Sequence, residues 1–288
     1  MIAFYGMGLL GANFVRALRS RGEEVQVWNR THTKATALEE IGAKAFTDPA
    51  EAARGAARVH MVLSDDAAVD ELLERFAPGL APGTVIVDHT TTSATGAVRR
   101  AAEWRERGFR YLHAPVFMGP GNALRGTGVM LASGDRATFD EVAPELAKMT
   151  GRLEFVGDDP GRAAGLKLIG NLVLQALTGG MADGFALAKA LGIPAEDAAG
   201  LFAIFNPANT VPYRLERLLS RDFSDPSWAL AMARKDARLM MEEAARGGER
   251  LPVIEALAGT MDEWIAKGHS DDDWTVFARD AMGPKPAA

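Results

Sequence analysis

Short apolar runs and longer helical patterns alternate along the first half of the chain. The runs, which predict strands, cover residues 2–5, 25–28, 59–63, 84–87, 111–116, 129–132 and 153–156. Between two of them, Ala68, Leu72, Leu73 and Phe76 recur at the spacing of one helix face. This alternation predicts βαβ units, and hence a sheet covered by helices that is largely parallel in its first part.

The strand pattern ends after residue 156. Residues 161–191 are rich in Ala and Leu and have apolar side chains on nearly every face, which predicts one helix of about 45 Å. Such a helix is longer than a small domain is wide, so we expect it to be buried and to link two domains. The remaining sequence is a series of helical patterns separated by Gly- and Pro-containing breaks.

The pattern therefore predicts an α/β domain with a mainly parallel sheet over residues 1–160 and an all-α domain over residues 161–288. A length of 288 residues fits two domains, and the composition of 48% hydrophobic and 24% charged residues is typical of a globular protein. The last residues, 283–288, are expected to form a frayed tail.

Composition and charge exclude several classes of function. The chain has no cysteine, which excludes disulfides, thiolate nucleophiles and iron–sulfur or zinc–thiolate sites. The five histidines show no metal-ligand spacing, so we expect no metal. A net charge of -6 gives no overall attraction to nucleic acid or acidic membranes, and no apolar run approaches the roughly 20 residues of a membrane span. We expect a cytoplasmic enzyme with a small-molecule substrate.

A glycine-rich turn follows the first predicted strand. Gly6, Gly8 and Gly11 have G-x-G-x-x-G spacing: the first permits a tight turn, the second lets the backbone approach a pyrophosphate, and the third lets helix and strand pack closely. The predicted dinucleotide-binding residues of this turn are Gly6, Met7, Gly8, Leu9, Leu10 and Gly11. Leu63, Ser64 and Asp65, which end a later strand, are expected to border the adenosine.

The end of the second strand predicts the choice of cofactor. An acidic side chain there would hold the ribose hydroxyls of NAD, but the residues present are Asn29, Arg30, Thr31 and, one helical turn later, Lys34. Cations, a hydroxyl and an amide suit a 2′-phosphate, so we predict NADPH rather than NADH. The alternative for Arg30 is a solvated surface arginine.

Several motifs in order along the chain resemble those of the β-hydroxyacid dehydrogenases. They are the GMGLLG turn, the NRT at 29–31, the D-x-T-T at 88–91, the APV-containing stretch at 114–127, and the G-x-x-x-x-x-K-x-x-x-N at 161–171. The resemblance covers nearly the whole chain. It implies a Rossmann domain, a helical domain joined by a long helix, an active site between the two, and a homo-oligomer, either a dimer or a tetramer.

The resemblance also implies catalytic and substrate-binding residues. Lys167 matches the family's general acid/base, and Asn171, one turn later on the same helix face, would hold the substrate or the lysine. The alternative for Lys167 is an exposed helix lysine, although its neighbours are mostly apolar. Thr90 and Thr91 match the family's substrate-loop hydroxyls, with Thr91 also near the cofactor. Lys235 matches a lysine that closes over cofactor and substrate.

Plainer readings of these last positions remain open. A threonine run is commonly a capped loop, and Lys235 beside Asp236 is commonly a solvated helix face.

The chain departs from the family pattern where substrate carboxylates are usually held. A Ser-Gly-Gly commonly follows Ala-Pro-Val, but this sequence has Phe117 and Met118 before Gly119, with Asn122 further on. We expect these four residues to line a bulkier, more apolar substrate pocket, in which Asn122 is either a donor to the substrate or a turn residue. In addition, His113 replaces the usual Asp, and Gly170 replaces the first of two customary asparagines.

The sequence therefore predicts an NADP(H)-dependent reductase that transfers hydride to or from a small hydroxy acid, semialdehyde or keto acid, with Lys167 as the acid/base. An imine reductase-like enzyme is the first alternative, favoured by the apolar Phe117 and Met118, although such enzymes commonly carry Asp or Tyr at the position of Lys167. A non-catalytic nucleotide-binding protein is the second alternative, although such relatives lose the lysine.

Overall fold

A computed structural model describes residues 1–283 of the chain, so that Gly283 alone of the expected tail lies within the described residues. The strands are β1 Ile2–Tyr5, β2 Val25–Trp28, β3 Lys44–Ala45, β4 Arg58–Met61, β5 Val85–Asp88, β6 Arg110–His113, β7 Val116–Phe117, β8 Val129–Ala132 and β9 Arg152–Phe155. The helices are α1 Leu9–Ser20, α2 His32–Thr36, α3 Pro49–Ala53, α4 Asp66–Phe76, α5 Ala94–Glu106, α6 Pro120–Arg125, α7 Arg136–Ala147, α8 Arg162–Ala190, α9 Ala195–Ile204, α10 Val211–Ser220, α11 Leu230–Arg246 and α12 Pro252–Ala266.

The strands form two sheets. Six of them make a parallel sheet in the order β3-β2-β1-β4-β5-β6, and the other three make a sheet in the order β7-β8-β9. In the larger sheet the strand order reverses between β1 and β4, so the carboxyl ends of these two strands border the crevice in which such sheets bind ligands. The predicted Rossmann-type domain is confirmed.

The central strand of the larger sheet is buried on both faces. Ile2 and Phe4 pack into one apolar cluster with α1, while Ala3 and Tyr5 point into a second cluster on the opposite face. Burial on both sides explains why β1 is an unbroken apolar run without polar alternation.

Two details of the strands differ from the prediction. The run expected at 111–116 is divided: β6 ends at His113, and β7 belongs to the second sheet, where it pairs antiparallel with β8. Pro115 lies between them and has no N–H to continue a ladder. β3, which has only two residues and lies at the sheet edge, was not predicted.

The long helix agrees with its predicted bounds within one residue at each end. The chain divides into two compact units, Met1–Leu172 and the part from Val173 onward, so the boundary lies inside α8 rather than at 160/161. The expectation that this helix is buried is wrong for the single chain: Ile169 is 62% exposed, Leu172 67% and Leu174 55%. Within residues 1–283, nothing covers this apolar surface.

The second unit is helical, as predicted. Asp183 on α8 is buried and accepts hydrogen bonds from the backbone N–H groups of Val253 and Ile254, 2.9 and 3.0 Å away, at the start of α12. A carboxylate at a helix N-terminus satisfies free N–H groups and complements the helix dipole. Among the described residues, no helix combines the length and the hydropathy that a membrane crossing needs.

Candidate cofactor and active site

The glycine turn between β1 and α1 has the geometry that its spacing predicts. Gly6 has a φ of +90°, and a Cβ there would lie 2.0 Å from the backbone oxygen of Val62. A Cβ on Gly11 would lie 1.9 Å from the backbone oxygen of Gly6, because α1 packs directly on the turn. A Cβ on Gly8 would meet nothing within 4 Å. The turn is therefore closed on the protein side and open where a pyrophosphate would approach.

Asn29 holds this turn in place. Its Oδ1 accepts a hydrogen bond from the backbone N–H of Met7 at 2.9 Å, and its Nδ2 donates to the carbonyl of Thr31 at 2.9 Å. Met7 is buried, so its side chain supports the turn from inside the core. Asn29 and Met7 thus fix the position of the glycine turn relative to the tip of β2.

A cavity of about 370 Å³ lies over the turn and the carboxyl ends of β1, β2 and β4. Most of the predicted cofactor residues line it: Gly6, Gly8, Leu9, Leu10, Gly11, Asn29, Arg30, Thr31, Lys34, Leu63 and Ser64. Three predicted residues of the first unit do not line it: Met7, Asp65 and Thr91. Asp65 instead caps α4 by accepting from the N–H of Ala68 at 2.9 Å, which lowers the pKa of its carboxyl, and Thr91 is exposed on the following loop.

The cavity has cations on two walls. Arg30 and Lys34 are exposed at the tip of β2 and form no ion pair with any of residues 1–283. Arg75 on α4 stands on the other wall, with its guanidinium 4.9 Å from the ring centroid of Trp28 and 3.4 Å from a carboxylate oxygen of Glu71. A cation stacked on an indole offers a flat surface that suits a purine ring.

The sequence reasoning missed Trp28 and the α4 residues that line this cavity. The usable signal was the i, i+4 spacing of Glu71 and Arg75 on the helix that follows β4, because such helices flank the ligand crevice of a Rossmann sheet.

The loop after β5 is held by buried polar contacts. Thr90, a predicted substrate residue, is 1% exposed; its hydroxyl accepts from the N–H of Leu63 at 3.0 Å, and its own N–H donates to Asp88 at 2.8 Å. Asp88 also accepts a 2.5 Å hydrogen bond from the hydroxyl of Tyr111, whose oxygen in turn accepts from the buried Arg100. The threonine therefore ties the β5 loop to the end of β4 at the cavity wall.

Lys167 is buried on α8, although it is a charged residue. Its side chain is 8% exposed, and its Nζ lies 4.1 Å from the ring centroid of Phe117, at the end of β7. It makes no hydrogen bond or ion pair with another of the described residues. Burial lowers the pKa of the amine from its ordinary value of 10.5, because removal from water disfavours the charged form.

Asn171 and Gly170 complete this part of α8. Asn171 is half-buried one helical turn after Lys167, so both lie on the same helix face. Gly170 faces the ring of Phe117: a Cβ at this position would lie 2.4 Å from the Cζ of the ring. The structure thus brings Phe117, Lys167 and Gly170 together.

The loop after Phe117 satisfies its own polar groups. Oδ1 of Asn122 accepts from the N–H of Gly119 at 3.0 Å, and its Nδ2 donates to the hydroxyl of Thr127 at 3.0 Å. Of the two sequence readings of Asn122, the turn residue is the one that these contacts support. Met118 is half-buried and packs against the core of the first unit.

Lys235 lies on α11 in the second unit. Its Nζ is 2.8 Å from a carboxylate oxygen of Asp236, and its side chain is 47% exposed. Its predicted contact with cofactor and substrate stays a prediction.

Comparison with known proteins shows which family and which proteins the chain is similar to. The model of the NAD binding domain of 6-phosphogluconate dehydrogenase matches residues 1–157. An uncharacterized oxidoreductase of Shewanella frigidimarina is 28% identical over 96% of this chain and 97% of that protein. The chloroplastic glyoxylate/succinic semialdehyde reductase 2 of Arabidopsis thaliana is 26% identical over 96% of this chain and 77% of that protein.

A solved structure has the same fold over nearly its entire length. The imine reductase from Myxococcus stipitatus in complex with NADP+ superposes with a TM-score of 0.92 at 22% identity, covering 97% of this chain and 99% of that one. The match to residues 1–157 is more than half of the chain, and the open glycine turn provides the site that a dinucleotide requires. The first 157 residues of the chain have the type of NAD binding domain found in 6-phosphogluconate dehydrogenase. The chain belongs to the β-hydroxyacid dehydrogenase family, and it is an NAD(P)-dependent dehydrogenase or reductase.

Proposed function

We propose that this protein is an NADPH-dependent reductase of small carbonyl compounds, in which Lys167 supplies the proton. The observation that carries the proposal is an amine that is 8% exposed, has no anionic partner among the described residues, and lies on the α8 element that resembles the family's acid/base. A structural lysine on a helix surface would instead extend into water.

The proposed chemistry needs one hydride and one proton. Bound NADPH would supply the hydride, which adds to the carbonyl carbon while the C=O π electrons move onto oxygen. The ammonium of Lys167 then gives a proton from Nζ to that oxygen, and the alcohol forms. The reverse reaction uses the neutral amine as the base, and a lowered pKa makes the neutral form accessible at a milder pH.

The cations at the tip of β2 support NADPH as the cofactor. Arg30 and Lys34 line the cavity and form no ion pair with a described carboxylate, and no acidic residue stands at the strand end, where a ribose 2′-hydroxyl would be held. A guanidinium at this position suits the two negative charges of a 2′-phosphate.

Semialdehydes and keto acids are the first substrates to test, because two relatives from Arabidopsis thaliana are named glyoxylate/succinic semialdehyde reductases. Cyclic imines are the second class. The apolar Phe117 and Met118 favour them, and so does the name of the superposed imine reductase.

A substrate panel with NADPH tests the proposal. We expect oxidation of NADPH by short aldehydes or ketones in the wild type, a loss of about 1,000-fold in kcat for Lys167→Met, and unchanged NADPH binding. Lys189→Met, which removes an exposed lysine further along α8, is the matched control. Turnover of imines alone would favour the imine reductase, and cofactor binding without any turnover would favour a non-catalytic protein.

We also propose that the protein is a homodimer or a larger homo-oligomer. The apolar side chains that α8, α9 and α10 expose would be covered by a second copy of the same chain. The most exposed of them are Leu172, Val173, Leu174, Leu177, Ile204, Leu215 and Leu219. An apolar surface of this extent is typical of obligate homodimers and not of monomers.

A further inference from the structure

Phe117 and Gly170 depart from the family pattern at separate positions in the sequence, but they touch in the structure. The ring of Phe117 occupies the space beside α8 that any side chain at position 170 would need, since a Cβ there would lie 2.4 Å from Cζ and 2.6 Å from Cε1. Real Cβ atoms are almost never found so close to another heavy atom. The two exchanges are therefore coupled in this arrangement: a side chain at 170 would require the ring of Phe117 to move.

The same ring covers the amine of Lys167. Residues 167 and 170 lie three positions apart on α8, so they are neighbours on its surface and one ring contacts both. Nζ lies 4.1 Å from the ring centroid, within the distance at which an ammonium is attracted to a π face. The face that attracts the ammonium carries partial negative charge, and it repels an anion placed against it.

Two of the donors in the loop that follows the ring are already used within the loop. The N–H of Gly119 is already donated to Asn122, and the amide of Asn122 is already donated to Thr127. A carboxylate buried against the ring would lose hydrogen bonds to water, and neither of these two donors would be free to replace them. The ammonium of Lys167 is buried beside the ring, but the proposed reaction consumes its proton.

We propose that the Phe117–Gly170 pair is the specificity determinant of this site and selects substrates whose group next to the reacting carbon is uncharged. This inference rests on the proposed function, because it concerns the same Lys167 site. It goes beyond that function by naming the class of carbonyl compound: esters, amides, and alkyl or aryl aldehydes and ketones, in preference to 2-oxo acids.

Pyruvate and methyl pyruvate form a matched pair of probes, because they share the same methyl ketone and differ in whether the group next to it is a charged carboxylate or an uncharged methyl ester. We expect kcat/KM with NADPH to favour the ester at least 30-fold in the wild type. Calorimetric titration of the NADP+-loaded enzyme with each probe gives the same comparison without turnover. Equal affinity for the two probes, binding of neither, or a preference for pyruvate would overturn the proposal.

Three variants separate the ring from other causes. Phe117→Ser should reduce the preference for the ester about tenfold, because it removes both the apolar cover and the π face, whereas Phe117→Leu should reduce it less, because it keeps the apolar cover. Arg125→Ala, which removes an exposed arginine packed against Gly121, should leave the preference unchanged. The assignment of specificity to Phe117 is contradicted if Phe117→Ser leaves the preference for the ester intact. It is also contradicted if Arg125→Ala changes that preference.

Coupling between the two positions provides an independent test. Gly170→Ala should lower kcat/KM for methyl pyruvate at least tenfold in the wild type, but by less than twofold when Phe117 is already serine. Equal losses in both backgrounds would show that the contact does not define the site. If Lys167→Met keeps full turnover while the preference for the ester persists, the proposed proton donor fails and the specificity assignment stands.

Discussion

Arg30 and Lys34 are the residues on which the predicted preference for NADPH depends. Both are exposed cations at the cavity wall, and neither is paired with a described acid. Replacing Arg30 by Ala should weaken NADPH binding about 10- to 100-fold, because a charge-assisted hydrogen bond to phosphate contributes about 1.5–3 kcal/mol. NADH binding should change less than threefold. Fluorescence titration with each cofactor measures both effects.

Arg75 provides the contrast for that measurement. Because it stacks on Trp28 at the opposite wall, its replacement by Ala should weaken both cofactors by a similar factor, since the adenine is common to them. If Arg30→Ala instead weakened NADPH and NADH equally, Arg30 would not contact the 2′-phosphate.

The glycine turn could be predicted at residue level because its requirements are local. The roles of Gly6 and Gly11 follow from spacing and from a strand–turn–helix context, and both appear in the backbone distances. Thr90 and Asn122 could not be predicted in this way. Their polar atoms bond to Leu63 and Thr127, and sequence alone does not indicate which donors and acceptors the fold brings to a hydroxyl or an amide.

At the scale of the elements, a directed chain of hydrogen bonds crosses the sheet from β4 to the loop after β6. The Nε of Arg58 donates to Nε2 of His60, whose Nδ1 contacts Nε2 of His89 at 3.0 Å, and Nδ1 of His89 contacts the carbonyl of Ala114 at 2.7 Å. An arginine only donates and a carbonyl only accepts, so both imidazoles must be neutral, with the hydrogen on Nδ1.

This series of hydrogen bonds through two neutral histidines predicts that the protein loses stability in acid. Burial lowers the pKa of His89 to about 4, and that of His60 to well below 6.5. Between pH 6.5 and 4 the unfolded chain binds more protons than the folded one, so the free energy of unfolding falls as the pH falls. Each histidine contributes up to about 1.4 kcal/mol per pH unit. Urea denaturation at a series of pH values measures this slope.

Two variants test whether the pH dependence of the free energy of unfolding comes from the buried histidines. His60→Asn keeps an amide donor for His89. It should reduce the slope of the free energy of unfolding against pH by the contribution of about one bound proton. His32→Asn changes an exposed histidine on α2 and should leave it unchanged. A slope that His60→Asn does not alter would contradict the assignment.

Strands with a long apolar run were predictable within one or two residues, because burial on both faces leaves a continuous signal. β3 was not, since two edge residues carry no periodicity. The division between β6 and β7 had a local signal in Pro115, but the fact that β7 joins a different sheet depends on pairing with β8, which is remote in sequence.

For the whole molecule, the apolar surface of α8 to α10 predicts self-association. Light scattering after size exclusion should give a mass of at least twice the 30.7 kDa of one chain. Leu174→Asp should shift the protein toward the monomer, because it places a charge on this surface, whereas Ile41→Asp, at an exposed position elsewhere, should not. A monomer for the wild type at micromolar concentration would contradict the proposed oligomer.

The central claim is that the ammonium of Lys167 donates the proton that completes reduction. Because burial lowers its pKa below 10.5, the protonated donor is lost at a milder pH than for an ordinary lysine. The measurement is kcat/KM for carbonyl reduction against pH, in the wild type and in Lys167→Met at saturating NADPH. We predict a tenfold fall per pH unit above a single pKa in the wild type, and a much lower rate without that limb in the variant. The same alkaline limb in Lys167→Met would contradict the account.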